Sequence, residues 1–168
     1  MDLRSHYIRQ TAMSRGILKN HLLKDLSDKE AFHVPKPGIP PIVWHVGHIA
    51  VTESAALLGM GKGEWDALPR HWLDQFAMGS RQPQDPRMFP RLSALMPEID
   101  RLAEACIACA RSLAEDELKQ PLPHWKDGYL PIFMRSWAGC LTGLPVHFGH
   151  HTGQISLLRR LQEKQGFA

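Results

Sequence analysis

The sequence predicts an all-α protein, most simply a four-helix bundle, and three observations support this prediction. Four segments repeat apolar residues at the helical period. No segment alternates apolar and polar residues convincingly enough to indicate a half-buried strand. Clusters of proline and glycine separate the helical segments. This pattern favours helices that pack on helices around one core, in a single domain over residues 1–168.

The first two helices lie on either side of a proline-rich connection. Apolar residues recur at the helical period over residues 4–26. Residues 34–41 contain four prolines and a glycine, and predict an extended connection because proline disfavours helix in the residue before it. A second helix is expected from Pro40 or Pro41, since the first turn tolerates a missing N–H, to Leu58.

A long connection is expected between the second and third helices. Residues 60–89 are rich in glycine, proline and polar residues, with a short helix expected at Leu73–Ala77. Segments of this length in compact domains are usually functional or flexible, so we expect this one to line the mouth of a pocket. Such a connection permits crossover topologies as well as an up-and-down bundle.

Two further helices complete the expected bundle. The third is predicted from Pro90 to about Leu113. Residues 121–141, which include Tyr129 and Ile132, are predicted to form either a strand-like or a short helical piece. The last helix is expected to begin with a cap at Thr142 and run to about Glu163, or to begin earlier and kink at Pro145.

Composition excludes several classes of protein. The chain of 168 residues is 43% hydrophobic and carries a net charge of only +3. Its basic residues are scattered, which disfavours a nucleic-acid-binding role. No apolar run approaches a membrane span, and the N-terminus lacks a signal-peptide pattern, so we expect a cytoplasmic protein without membrane contact. The cysteines of Cys106-x2-Cys109 are expected to be small residues at a helix contact.

Two histidines near the C-terminus have the spacing of metal ligands. On a helix, His147 and His151 are separated by about 40° around the axis and about 6 Å along it. Two imidazoles so placed can bind one metal ion. Adding His48 from a facing helix gives three protein ligands and leaves a coordination position open, as in catalytic zinc sites.

The phase of the last helix prefers this pair over the rival pair His147 and His150. An apolar stripe steps by three or four residues and includes the preferred histidines: Leu144, His147, His151, Ile155 and Leu158. His150 aligns instead with Val146 and Leu157, so it is expected at the rim of a pocket. Phe148 follows His147, where the zinc-protease motif has its glutamate.

The second helix places two more histidines on one face. His45 and His48 are three residues apart, and neighbouring apolar residues indicate that their face points inward. A buried imidazole needs a hydrogen-bond partner or a metal ion, so a satisfied core histidine is the alternative interpretation of His48. His45 and His150 are candidate catalytic groups, because imidazoles exchange protons near neutral pH.

Two motifs resemble those of the DinB/YfiT-like superfamily of metalloenzymes. They are Trp44-x3-His48 after a proline-rich entry, and His147-x3-His151-x-Gly153-Gln154 near the C-terminus. The resemblance implies a four-helix bundle, often dimeric, in which His48, His147 and His151 bind a divalent metal. Members include thiol-dependent S-transferases and isomerases that use bacillithiol, mycothiol or glutathione, and many have no assigned reaction.

Three functions are compatible with these expectations. The first is a metalloenzyme, containing Zn²⁺ or Ni²⁺ (Fe and Cu also suit imidazole ligands), that uses a low-molecular-weight thiol to attack a small-molecule electrophile. Such a protein is expected to be a homodimer. The second is a non-catalytic metal-binding stress-response module. The third is a metal-dependent hydrolase, for which Glu53 is the nearest candidate base.

Overall fold

The structure, a computed structural model, describes residues 2–63, 68–80, 85–125 and 130–167. Within these ranges the chain forms six α-helices and no β-strand, which confirms the predicted all-α fold. The helices are α1 Leu3–Ile17, α2 Asp28–Ala31, α3 Ile42–Gly59, α4 Arg70–Phe76, α5 Leu92–Ser112 and α6 Trp137–Arg160. Short 3₁₀ turns occupy Pro86–Met88, Glu117–Lys119 and Ile132–Met134.

The four long helices pack in a ring. Helix α3 packs against α5 and α6, and α1 packs against the same two helices from the other side. Helices α1 and α5 are antiparallel: Arg4 Nη1 donates to the carbonyl of Leu113, while Arg15 Nη1 donates to the carbonyl of Asp100. Buried apolar side chains from all four helices fill the space between them.

The first helix changes its winding near its end. The sequence predicted one helix over residues 4–26, whereas α1 ends at Ile17 and continues as a wider π-helical segment over Leu18–Leu23. Arg159 of α6 donates to the carbonyl of Leu22 at 2.7 Å and also to the carboxylate of Asp25. The wider winding is tolerated because another helix supplies a donor to a backbone carbonyl at this point.

The last helix begins earlier than its predicted cap. Ser136 is the capping residue, and its Oγ accepts a hydrogen bond from the N–H of Gly139. The predicted cap at Thr142 is therefore wrong, because that hydroxyl donates to the carbonyl of Ala138 inside the helix. The earlier start is correct, and Pro145 lies within α6. Ahead of α6 the chain forms a 3₁₀ turn at Ile132–Met134, whereas Tyr129 lies outside the described residues.

The cysteines are part of the packed interior. Cys106, Cys109 and Cys140 are all buried and unpaired by disulfides. Burial raises the pKa of the Cys140 thiol to about 12, and it raises the pKa of the other two thiols as well. Such thiols are inert at neutral pH, which agrees with the predicted packing role of Cys106-x2-Cys109.

None of the described helices combines the length and apolar character needed to cross a membrane.

The connection between α3 and α5 is fastened to α3 by helix α4. Phe76, the last residue of α4, is fully buried and stacks on Phe89 with ring centroids 5.4 Å apart. Its ring lies directly over Gly47 of α3: a Cβ atom at position 47 would lie 2.5 Å from three of the ring carbons. Only glycine at this position lets α4 pack so closely on α3.

Replacing Gly47 with alanine is therefore expected to displace Phe76 and to lower the free energy of unfolding by about 1–3 kcal/mol. Gly149→Ala is the matched control, because a Cβ atom there has no neighbour within 4 Å. That change removes a helical glycine and is expected to raise the unfolding free energy by up to about 1 kcal/mol. Urea unfolding of both variants measures the two effects. Equal effects of the two changes would contradict this account of the contact between α3 and α4.

Candidate metal centre

Three histidines from two helices converge on one point. Helices α3 and α6 are antiparallel, and this places His48 of α3 opposite His147 and His151 of α6. One ring nitrogen from each of the three residues lies within 4.8 Å of the others. Among the described residues, no other group of three or more histidine, cysteine or acidic side chains brings its possible ligand atoms close enough to hold one metal ion. The structure thus brings together the three residues proposed from sequence as ligands.

The two histidines of α6 face each other through the same ring atom. His147 Nε2 lies 3.1 Å from His151 Nε2. Two nitrogens that share a tetrahedral zinc ion at about 2.0–2.1 Å lie about 3.3 Å apart, close to this separation. The four-residue spacing therefore directs both rings to one point, as the helix geometry predicted.

A backbone carbonyl determines the orientation of His48. Its Nδ1 lies 2.5 Å from the carbonyl oxygen of Phe76, an acceptor, so Nδ1 carries the proton and donates it. The lone pair of this ring is therefore on Nε2, the remaining nitrogen. Metal-binding histidines typically donate their second nitrogen to such a group. This partner has no signal in the sequence, because any residue type supplies a carbonyl.

Trp44 supports the same ring from one side. The indole stacks on His48 with centroids 4.7 Å apart and an angle of 9° between the planes. Its Nε1 donates to the carbonyl of Gln75 at 3.1 Å, which attaches it to the end of α4. Trp44 thus packs on a candidate ligand and also contacts the connection between α3 and α5. Residues 64–67 and 81–84 of the predicted pocket mouth, Trp65 among them, lie outside the described residues.

His45 is not in the group of three, but it contacts one member of it. The side chain is buried, and its Nδ1 lies 2.9 Å from Nδ1 of His151. This contact is on the opposite edge of the His151 ring from His147. The structure therefore places His45 beside the candidate ligands, on the buried side of the cluster.

His150 lies at the solvent edge. Its side chain is exposed, whereas that of His151 is only 6% exposed. The two rings are in edge contact, with centroids 5.1 Å apart. The position agrees with the helix-phase prediction of a residue at the rim.

The carboxylate considered as a hydrolytic base lies elsewhere. Glu53 follows His48 by five residues, which places it about 140° around the axis of α3. Its carboxylate is buried against Arg15 of α1, with an N–O distance of 3.8 Å. Burial raises the pKa of Glu53 to about 7, although Arg15 opposes this shift. Within the described ranges, no carboxylate joins the histidine cluster.

The clustered imidazoles are neutral at pH 7. Burial lowers the pKa of His45 and of His147 to about 4. It lowers that of His151 to about 2, with further contributions from the surrounding histidines. Burial also lowers the pKa of His48, although the carbonyl of Phe76 favours its charged form. Neutral imidazoles have the lone pairs that a metal ion requires, so this donor set fits Zn²⁺, Ni²⁺, Cu²⁺ or Fe²⁺.

These shifts predict how the stability of the metal-free protein depends on pH. The ordinary pKa of histidine is 6.5. Below pH 6.5 these histidines therefore bind protons in the unfolded chain but remain neutral in the folded site. The contribution of these histidines to the unfolding free energy is therefore complete above pH 6.5, and it decreases as the pH falls towards 4. Glu53 offsets part of this loss, because its pKa is raised in the folded state.

Chemical denaturation in the presence of chelator, at pH values from 4 to 7.5, measures this dependence. His147→Gln removes one of the imidazoles with a lowered pKa and is expected to give a shallower slope in that range. His33→Gln, at an exposed position, is the matched control and is expected to leave the slope unchanged. A wild-type stability that does not change between pH 6.5 and 4 would contradict the lowered pKa values.

Comparisons with known proteins agree with the fold. A solved structure described as the conserved protein of a locus from Enterococcus faecalis is similar, with a TM-score of 0.69 and 16% identity, over 96% of this chain and 97% of that one. At this identity the likeness shows the fold alone. No curated protein matches the chain. The sequence profile of the DinB superfamily matches residues 18–155, which include all three clustered histidines. The chain therefore belongs to the DinB superfamily.

Proposed function

We propose that this protein is a metal-dependent enzyme that uses a low-molecular-weight thiol to attack a small electrophilic substrate. The observation that carries the proposal is the composition of the site: three neutral imidazoles converge, and no carboxylate among the described residues joins them. Three protein ligands leave a coordination position for a small molecule. His147, which is half-buried, and the exposed His150 mark the side from which that molecule would enter.

The residues present fit a divalent metal ion, with Zn²⁺ or Ni²⁺ favoured. Nε2 of His48, His147 and His151 would hold it: Nε2 of His147 lies 3.1 Å from Nε2 of His151, and Nδ1 of His48 is already paired with the carbonyl of Phe76. A divalent ion bound there lowers the pKa of a thiol or water in the open position, and so supplies a nucleophile at neutral pH. The chain provides the orientation: Phe76 fixes the His48 ring, and Trp44 covers one face of it.

The reaction needs little more from the chain than binding and one proton transfer. The thiol sulfur forms a bond to the electrophilic carbon, and the thiol proton passes to His150 or to solvent. In a transferase, the leaving group departs with the electron pair of the bond that breaks. In an isomerase, addition of the sulfur opens a π bond of the substrate. After rearrangement the carbon–sulfur bond breaks, the π bond re-forms, and the sulfur leaves with its electron pair as a thiolate that takes up a proton again.

The absence of a carboxylate from the described cluster favours a thiol over water as the nucleophile. An ordinary thiol has a pKa of about 8.5, whereas bulk water has one of about 15.7. A thiol therefore needs less assistance from a base. The zinc-protease motif supplies such a base with a glutamate beside its first histidine, and here that position is Phe148.

Three single replacements test the ligand set. His48→Ala, His147→Ala and His151→Ala are each expected to lower bound Zn²⁺ or Ni²⁺ from one ion per chain to below a tenth. Elemental analysis after gel filtration measures this. The exposed His33→Ala is the control and should keep full occupancy. If two of the three site variants keep stoichiometric metal, the proposed ligand set is wrong.

Turnover assays test the reaction. The metal-loaded protein is expected to consume electrophiles only when a thiol such as glutathione or bacillithiol is added, and to lose at least about 90% of this activity when any ligand is replaced. Thiol-dependent turnover that persists after complete metal removal would contradict the proposal. Thermal unfolding with and without chelator identifies a purely structural metal, since removal of a structural ion lowers the melting temperature greatly.

A further inference from the structure

We infer that His45 is a positioning residue that determines which ring nitrogen of His151 faces the metal. The inference rests on the metal site proposed above and concerns a residue outside the ligand set. It begins from the two edges of the His151 ring, which have different neighbours. Nε2 lies 3.1 Å from His147 Nε2, and Nδ1 lies 2.9 Å from His45 Nδ1.

The second contact is a hydrogen bond between two neutral imidazoles. A neutral ring carries one proton, so one of the two Nδ1 atoms donates and the other accepts. If His151 binds metal through Nε2, that atom is without a proton and Nδ1–H is the donor. His45 Nδ1 is then the acceptor, and the proton of His45 is on its own Nε2. One contact thus determines the tautomers of both rings.

The opposite arrangement, in which His45 and His151 bind metal through their Nδ1 atoms, lacks a third ligand. His48 and His147 each offer a nitrogen within 4.8 Å of one nitrogen of His151, and the contact with His147 is made through Nε2. Within the described ranges, no equivalent group of three includes His45. The ligand count therefore assigns Nε2 of His151 to the metal and Nδ1 to His45.

Helix α3 supplies both a ligand and this orienting group. His45 and His48 are three residues apart, which places them about 60° apart around the axis, on one face. The partner of a metal-binding histidine is usually a carboxylate, a carbonyl or water. A neutral imidazole accepts the same hydrogen bond, more weakly than a carboxylate, but adds no negative charge to the site. The metal therefore keeps more of its positive charge for the substrate.

Two replacements of His45 test the inference, with Co²⁺ as the probe. Phenylalanine fills the space without an acceptor, and His45→Phe is expected to weaken Co²⁺ binding by about 10–100-fold. Glutamine offers a carbonyl oxygen, and His45→Gln is expected to stay within about threefold of wild type. His33→Phe is the control at an exposed position. A merely structural role for His45 would lower the melting temperature of the metal-free variants but leave Co²⁺ affinity of the folded protein unchanged.

A measurement on the wild-type protein does not depend on the folding of any variant. In the Zn²⁺-loaded, ¹⁵N-histidine-labelled protein, NMR should place the proton of His151 on Nδ1, in slow exchange with solvent, and that of His45 on Nε2. A proton on Nε2 of His151 would overturn the inference. So would equal Co²⁺ affinity of wild type and His45→Phe. If wild type itself binds neither ion, the proposed metal site fails and this inference fails with it.

Discussion

Each buried imidazole has two ring nitrogens that need partners, and this requirement organises the site. Nδ1 of His48 is paired with the carbonyl of Phe76, and Nδ1 of His151 is paired with His45. One ring nitrogen from each of His48, His147 and His151 lies within 4.8 Å of the other two. Neutral imidazoles that turn lone pairs towards one another repel unless a proton or a cation lies between them. The N–H of one neutral ring can bridge a single pair of these nitrogens, but burial opposes a second proton on any ring, as the lowered pKa values show. We therefore propose a metal ion as the partner of all three imidazoles.

The same requirement joins the site to the fold. The carbonyl that orients His48 belongs to Phe76. This residue reaches its position because α4 packs on α3 at Gly47. Gly47 thus contributes to the site without contacting any ligand nitrogen. The connection between α3 and α5 consequently supports the candidate metal centre as well as linking the two helices. A change in the packing of α4 is therefore expected to change the orientation of the His48 ring.

Sequence periodicity was sufficient to predict the helices and the side of α6 that carries the site. The three-or-four-residue stripe that includes His147 and His151 separates them correctly from His150, because helix phase depends only on spacing. Partners that are backbone atoms leave no mark in a sequence, so the carbonyl of Phe76 was not predicted. The contact between His45 and His151 was also missed, since it depends on how two antiparallel helices align. The start of α6 was misplaced because Thr142 and Pro145 resemble a cap and first turn, although Ser136 provides the cap.

We propose that His48, His147 and His151 share one metal ion through their Nε2 atoms. A crystal of the Zn²⁺-loaded protein, with diffraction recorded above and below the zinc absorption edge, tests it most directly. We expect one anomalous peak per chain, about 2.0–2.1 Å from Nε2 of His48, His147 and His151, with a solvent or added thiol ligand at the remaining position. A peak coordinated by His45 in place of one of these residues, or no peak at the cluster, would contradict it.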